Sequence, residues 1–165
     1  MNTGDPIDIL LTQDRWAMRR LLDVCETLSD EQLHQRFEIG LGSLHDSVVH
    51  IVSANRASAD VLAGRPQRAA LEMEPRRTVA ELRAMVDDAA ADLMAHARSG
   101  SMEQLLQRKR KDQVYTYTRA TIVVHSATHG AHHRAQCLNM IRRMGVAPLP
   151  QSGVFEWSRA GCPEG

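Results

Sequence analysis

Apolar residues recur at helical intervals through most of this chain, and four long stretches carry the pattern. Ile7, Leu10, Leu11, Met18, Leu21, Leu22, Cys25 and Leu28 make one stripe, which predicts a first helix over residues 6–28. Asp5 suits its cap, Pro6 the first helical position and Asp8 the first turn. Residues 29–32 repeat a start signal and predict a short extra turn. A connector with Gly40 and Gly42 follows. Ser43, with Asp46 three residues on, opens the second long helix in a capping-box-like arrangement. Leu44, Val48, Ile51, Val52, Ala59 and Leu62 form its stripe, and Gly64 and Pro66 end it.

Residues 65–77 are polar, hold Pro66 and Pro75, and read as a loop. Thr78 and Glu81 form a capping box for the third helix, with Val79, Leu82, Met85, Val86, Ala89 and Leu93 on its buried face. Ser99 and Gly100 stop it. Residues 104–117 contain two short runs around a charged stretch, the second rich in β-formers, and predict a small hairpin or an extended insertion. The fourth helix starts near Arg119 with Thr118 as its cap. It ends at Met144, before Gly145 and Pro148. The tail from about residue 148 reads as irregular, with Phe155 and Trp157 as candidates to tuck against the helices. Four amphipathic helices and no convincing sheet predict an all-α fold, a four-helix bundle, in one domain over residues 1–165.

Composition agrees with this reading. Good helix formers dominate, aromatic residues make up only 4%, and 43% of the chain is hydrophobic, enough for a core without staples. Twenty basic and twenty acidic side chains cancel, so nothing global favours nucleic acid or an anionic membrane. Cys25, Cys137 and Cys162 are odd in number and form no CxxC, which fits reduced thiols in a cytoplasmic protein. The opening residues lack the basic start and apolar run of a signal peptide, and no stretch approaches the length of a membrane span.

Eight histidines change the picture, because four of them fall between residues 125 and 133. On a wheel of about 100° per residue, Ile122, Ser126, Gln136, Met140 and Met144 share one face of the fourth helix. His129 and His133 lie at its centre, and His125 and His132 on its flank. Central slots normally take Leu or Ile. An unpaired buried imidazole costs roughly 1–3 kcal/mol. A shared metal ion removes that cost by accepting a lone pair from each ring. Residues four apart rise by about 6 Å and face the same way, the spacing two ligands need. His125 and His129 form a rival pair with the same spacing. Single histidines at such positions are more often satisfied core residues, but a central pair favours ligands.

A third ligand has to come from another helix. His50 is the candidate, set beside the apolar stripe of the second helix among Ser47, Ala54 and Ala57, which leave room for an ion. His45 competes but lies in the first turn beside Asp46. Three histidines with an open position are the pattern of a catalytic site, and zinc, nickel and iron all accept neutral imidazole.

These residues resemble the DinB/YfiT-like family of metalloenzymes. His129-Gly130-Ala131-His132-His133-Arg134-Ala135-Gln136 is similar to that family's HxxHHRGQ signature. The stretch from Gly42 to Ile51, through His50, resembles its ligand-bearing second helix, and Asp14-Arg15-Trp16 its opening helix. Ala135 departs from the usual glycine, and Gly153 stands where an aspartate often follows. The resemblance implies a four-helix bundle, often dimeric, with one divalent metal ion on His50, His129 and His133. It also implies chemistry with low-molecular-weight thiols such as bacillithiol or mycothiol. The expectation is therefore a metal-dependent enzyme of thiol S-transferase or hydrolase type, a cytoplasmic homodimer acting on a small molecule. The alternative is a non-catalytic metal-binding or stress-response protein with a structural or vestigial site.

The remaining features carry less. Arg108, Lys109, Arg110 and Lys111 read as a solvated turn, with Tyr115 and Tyr117 too few for a nucleic-acid stacking surface. Cys137 lies off the histidine centre and reads as a small buried residue, and Asn55 as a bonded polar group within an apolar face.

Overall fold

Capping chemistry divides the chain into its elements. The computed structural model describes residues 4–164. Asp5 Oδ1 accepts from Ile7 N at 2.8 Å and starts α1, Pro6–Cys25. This helix ends three residues before the stripe does, because residues 26–28 tighten into a turn that leads to a second cap. There, Ser29 and Gln32 bond reciprocally and open the short α2, Asp30–His34. Ser43 Oγ accepts from Asp46 N at 3.1 Å and begins α3, Leu44–Leu62. Only half of a capping box forms here, since the Asp46 carboxylate turns outward to Arg36. Thr78 and Glu81 complete the full box of α4, Val79–His96. Thr118 caps α5, Arg119–Arg143, by accepting from Thr121 N.

Between α4 and α5, strands β1, Leu105–Arg110, and β2, Gln113–Thr118, pair antiparallel with Leu106 opposite Tyr117 and Arg108 opposite Tyr115. The chain is thus mostly helical with one small two-stranded sheet, and the hairpin expectation holds.

The four long helices pack in a cycle: α1 lies against α4 and α5, and α3 completes it by lying against the same two. Met18, Leu21, Leu22, Leu44, Val48, Ile51, Leu82, Cys137, Met140 and Ile141 meet in the main core. A second cluster around Leu11, Ala59, Leu62, Leu93, Ile122 and Val123 fills the other end. The predicted stripes supply nearly all of these residues. α3 and α5 run antiparallel: Leu62 O, at the end of α3, accepts from Arg119 at the start of α5. Gly40, just before α3, lies against Gln136 near the end of α5.

Two expectations need correction. Residues 65–77 are not a simple polar loop. They contain a 3-10 turn, Leu71–Met73, whose Leu71 side chain is buried in the main core. The tail is also not irregular throughout, because Val154–Arg159 form a sixth helix, α6. Trp157 is only 2% exposed there and packs on Trp16 and Ala17 of α1, while Phe155 is 83% exposed and does not tuck in. One buried aromatic and the Gln13-to-Ser152 bond of 2.7 Å anchor this short helix from outside, which six residues could not do by propensity alone.

Candidate metal centre

α5 delivers His129 and His133 on successive turns, and the antiparallel α3 brings His50 between them. The ring centroids of His50 lie 5.1 Å from His129 and 4.8 Å from His133, and those of His129 and His133 are 4.5 Å apart. One nitrogen from each ring falls within 4.8 Å of the other two, and the three residues are partly buried. Nitrogens around a tetrahedral ion at about 2.0–2.1 Å stand roughly 3.3 Å apart, so small rotations of the rings suffice to close the set.

The other ring nitrogens support this. His50 Nδ1–H donates to Glu72 Oε1 at 2.8 Å, and His133 Nδ1–H donates to Gln136 Oε1 at 2.8 Å. Each bond fixes the ring and leaves the Nε2 lone pair free, the arrangement found around histidines that hold metals. His129 Nδ1 is buried with no hydrogen-bond partner among the described residues. Such a group costs about 1–3 kcal/mol unless that nitrogen itself finds a partner, as it would by ligating an ion. Burial, then the neighbouring His133 and His50, push the His129 imidazole down to about 3, so it is neutral at physiological pH. Burial foremost also lowers His133. The three-histidine set therefore fits a divalent ion by its geometry and by the hydrogen bonds that orient His50 and His133.

Glu72 was not foreseen. It belongs to the 3-10 turn, where Leu71 is locked into the core and its N–H donates to Ser53 Oγ on α3 at 3.1 Å. That docking swings the next residue onto His50. No sequence pattern carries this, because the partners stand 22 residues apart, across the rest of α3 and the loop that follows it. Gln136 lay on the histidine face of the wheel, but its partner could not be read there. Gly40 has φ +58°, and a Cβ there would stand 2.6 Å from Gln136 Oε1, so the connector's glycine lets the loop press against the very group that holds His133.

The rival histidines go elsewhere. His125 is exposed, with its ring 5.1 Å from that of His129, and His132 Nε2 accepts from Gln136 Nε2 at 3.0 Å. His45 is buried far from the cluster in role, donating Nε2–H to Arg77 O at 2.8 Å. Cys137 is fully buried, its thiol pushed up to about 12 by burial, and it is no thiolate ligand.

Behind the ligands, Arg134 turns inward and pairs with Asp14 of α1, both almost fully removed from water. Asn55 donates to the same carboxylate at 3.5 Å, half of the bonded role expected, since its own Oδ1 is buried without a partner among the described residues. Gly130 makes room for this pair: a Cβ there would stand 2.6 Å from Asp14 Oδ1 and 2.9 Å from Arg134 Nη1. So the stretch from His129 to Gln136 has a division of labour. His129 and His133 face the cluster, its arginine anchors the helix, and its glycine permits that anchor.

Fold and site together define a mostly helical protein with an open cluster of three histidines. The chain belongs to the DinB family, whose model matches residues 2–160. It is similar in fold to a DinB-like protein, YjoA, from Bacillus subtilis, with a TM-score of 0.59 and 14% identity, covering 87% of this chain and 96% of that one. No curated protein matches the chain.

Proposed function

We propose that this protein is a DinB-type four-helix bundle that binds one divalent metal ion, zinc, nickel or iron, through His50, His129 and His133, and works as a metal-dependent enzyme on a small molecule. The observation that carries the reading is the convergence of three imidazoles, two of which are held through Nδ1 by Glu72 and Gln136. Family membership supports it. A bound divalent ion would lower the pKa of a thiol or water at its remaining position and so supply a nucleophile at neutral pH.

The chain's own residues set the conditions. His50, with 29% of its side chain exposed, keeps one side of the cluster open to solvent. No fourth His, Cys, Asp or Glu closes the group among the described residues. An open position favours catalysis over a purely structural role. Glu72 and Gln136 keep two rings in the tautomer that presents Nε2. Thiol S-transfer is the preferred reaction, because a borderline metal takes sulfur well, and hydrolysis is the second. No helix among the described residues is long and apolar enough to cross a membrane, and the balanced charge gives nucleic acid no general foothold. A cytoplasmic homodimer completes the proposal.

The test is metal content and titration. The purified protein should take up about one zinc ion per chain, and His129→Ala should abolish that uptake while remaining folded. Wild-type protein that binds neither zinc, nickel nor iron would overturn the reading.

A further inference from the structure

The hairpin contributes a charged group that the metal reading leaves unused. Leu106 and Arg108 are two apart on β1 and therefore share a face. Leu106 packs on the cluster around Leu62 and Ile122, which turns that face toward the helices. Arg108 follows it inward, partly buried, and donates from Nη1 to Ser58 Oγ at 3.4 Å. The expected solvated turn holds for three of its four residues: Lys109, Arg110 and Lys111 are exposed, and Arg108 is only partly so.

Apart from Arg56, whose Nη1 is buried without a partner among the described residues, the inward arginines are better matched than Arg108. Arg134 has Asp14, Arg65 and Arg68 share Asp60, and Arg119 reaches Leu62 O, His96 O and Gln104 Oε1. Among the described residues Arg108 has only a long bond to one hydroxyl, although a guanidinium carries five donors and tolerates burial poorly without acceptors. Its place is also specific. Ser58 lies two helical turns beyond His50 on α3, about 12 Å along the axis. Because α5 is antiparallel, the same direction runs from His129 toward His125. A cation with free donors therefore sits on the open flank of the cluster, on the order of 10 Å from its centre.

We propose that Arg108 anchors a terminal anionic group, such as a carboxylate, on a small molecule whose other end reaches the ion held by His50, His129 and His133. This rests on the metal reading above. Arginine suits the role because its planar fork meets carboxylate oxygens in pairs. The substrate class follows: an elongated thiol or related donor with an acid at the far end.

The probes are straight-chain mercaptohexanoate and mercaptohexanol, equal in length and different only in the terminal charge. Each is titrated into cobalt-loaded protein and followed by sulfur-to-cobalt charge-transfer absorption, with cobalt affinity measured separately. The acid should bind about tenfold more tightly than the alcohol, the effect of one charge-assisted contact open to water. Arg108→Ala should bring the ratio near one without changing cobalt affinity, and Arg108→Lys should restore part of it. Raised salt should shrink the wild-type ratio. Cobalt binding with equal affinities for acid and alcohol in the wild type overturns the anchor alone, as does a ratio that survives Arg108→Ala. Failure of wild-type protein to bind cobalt overturns the metal reading and the anchor with it.

Discussion

Removing the Glu72 carboxylate is the sharpest probe of how the site is built. His50 reaches Glu72 at 2.8 Å, and the two side chains are 29% and 38% exposed, so the bond is charge-assisted but open to water. Hydrogen bonds to charged groups contribute about 1.5–3 kcal/mol when buried, and partial exposure puts this one at the lower end. Loss of an outer partner of a metal histidine typically costs 10–100-fold in metal affinity. Glu72→Ala should therefore weaken zinc binding about tenfold, near 1.4 kcal/mol. Glu72→Gln keeps an oxygen to accept from Nδ1–H and loses only the charge, so it should weaken binding about threefold. Competition against a chromophoric chelator reads both changes, and metal-free thermal unfolding checks that the fold is intact. Wild-type affinity in Glu72→Ala, beside a complete loss in His50→Ala, would refute the orienting role. A loss as large as that of His50→Ala would make Glu72 a ligand in its own right.

The other predictions probe the ligand set, the anchor behind it and the far end of α3. His129→Ala and His133→Ala should abolish tight zinc binding while His125→Ala and His132→Ala retain it, and equal losses for His125→Ala and His133→Ala in isothermal titration would mean the rival pair is the true one. Gly130→Ala should destabilise the protein by about 2 kcal/mol in urea unfolding, because prising apart a buried ion pair costs several kcal/mol and outweighs the roughly 1 kcal/mol that alanine adds to a helix; a more stable variant would contradict the close packing. Asp60 is fully buried; desolvation works against its charge, but the Arg68 backbone and side chain and the Arg65 side chain prevail and hold its carboxyl below the ordinary 3.8. Its contribution is thus complete above pH 3.8 and is lost as pH falls through the lower folded value, so the stability gap between wild type and Asp60→Asn should be constant near neutrality and close in strong acid.

Much of this was legible because local rules and tertiary packing agree. Ser29, Thr78 and Thr118 cap where their spacing says they should, and the periodic Leu, Ile and Val of the four stripes are the residues that meet in the core. The histidine pair was legible because four-residue spacing fixes two side chains relative to each other before any fold is known. Their central place on the wheel is corrected, since the buried face of α5 runs through Ala127, Gly130, Arg134, Cys137 and Ile141 and leaves both rings partly buried at its edge. The parts that escaped depend on contacts that one segment's pattern does not contain. Glu72 reaches His50 only because Leu71 is buried two positions short of the turn's end. Arg108 turns inward only because strand alternation ties it to Leu106, and a run of four cations hides that alternation. α6 is too short for a periodic signal and exists because Trp157 finds Trp16.

These hidden contacts have a common logic. Two imidazoles on one helix can be placed by that helix, but the third cannot, so its position depends on how α3 and α5 are held together. The structure meets that demand with supports from four separate segments. Asp14 on α1 grips Arg134 directly behind the ligands, and Gly130 lets it come close. Gly40, before α3, seats Gln136, and the 3-10 turn after α3 seats Glu72. At the far end Arg119 ties the start of α5 to Leu62 and His96. The Glu72 bond orients His50 on α3, and the other three supports hold one helix against another; a helix that slips by one residue moves a ligand by about 1.5 Å, close to the whole shift the rings need to close on an ion. The glycine and arginine of the His129–Gln136 stretch therefore matter to the site as much as its histidines, although neither touches the space where an ion would sit.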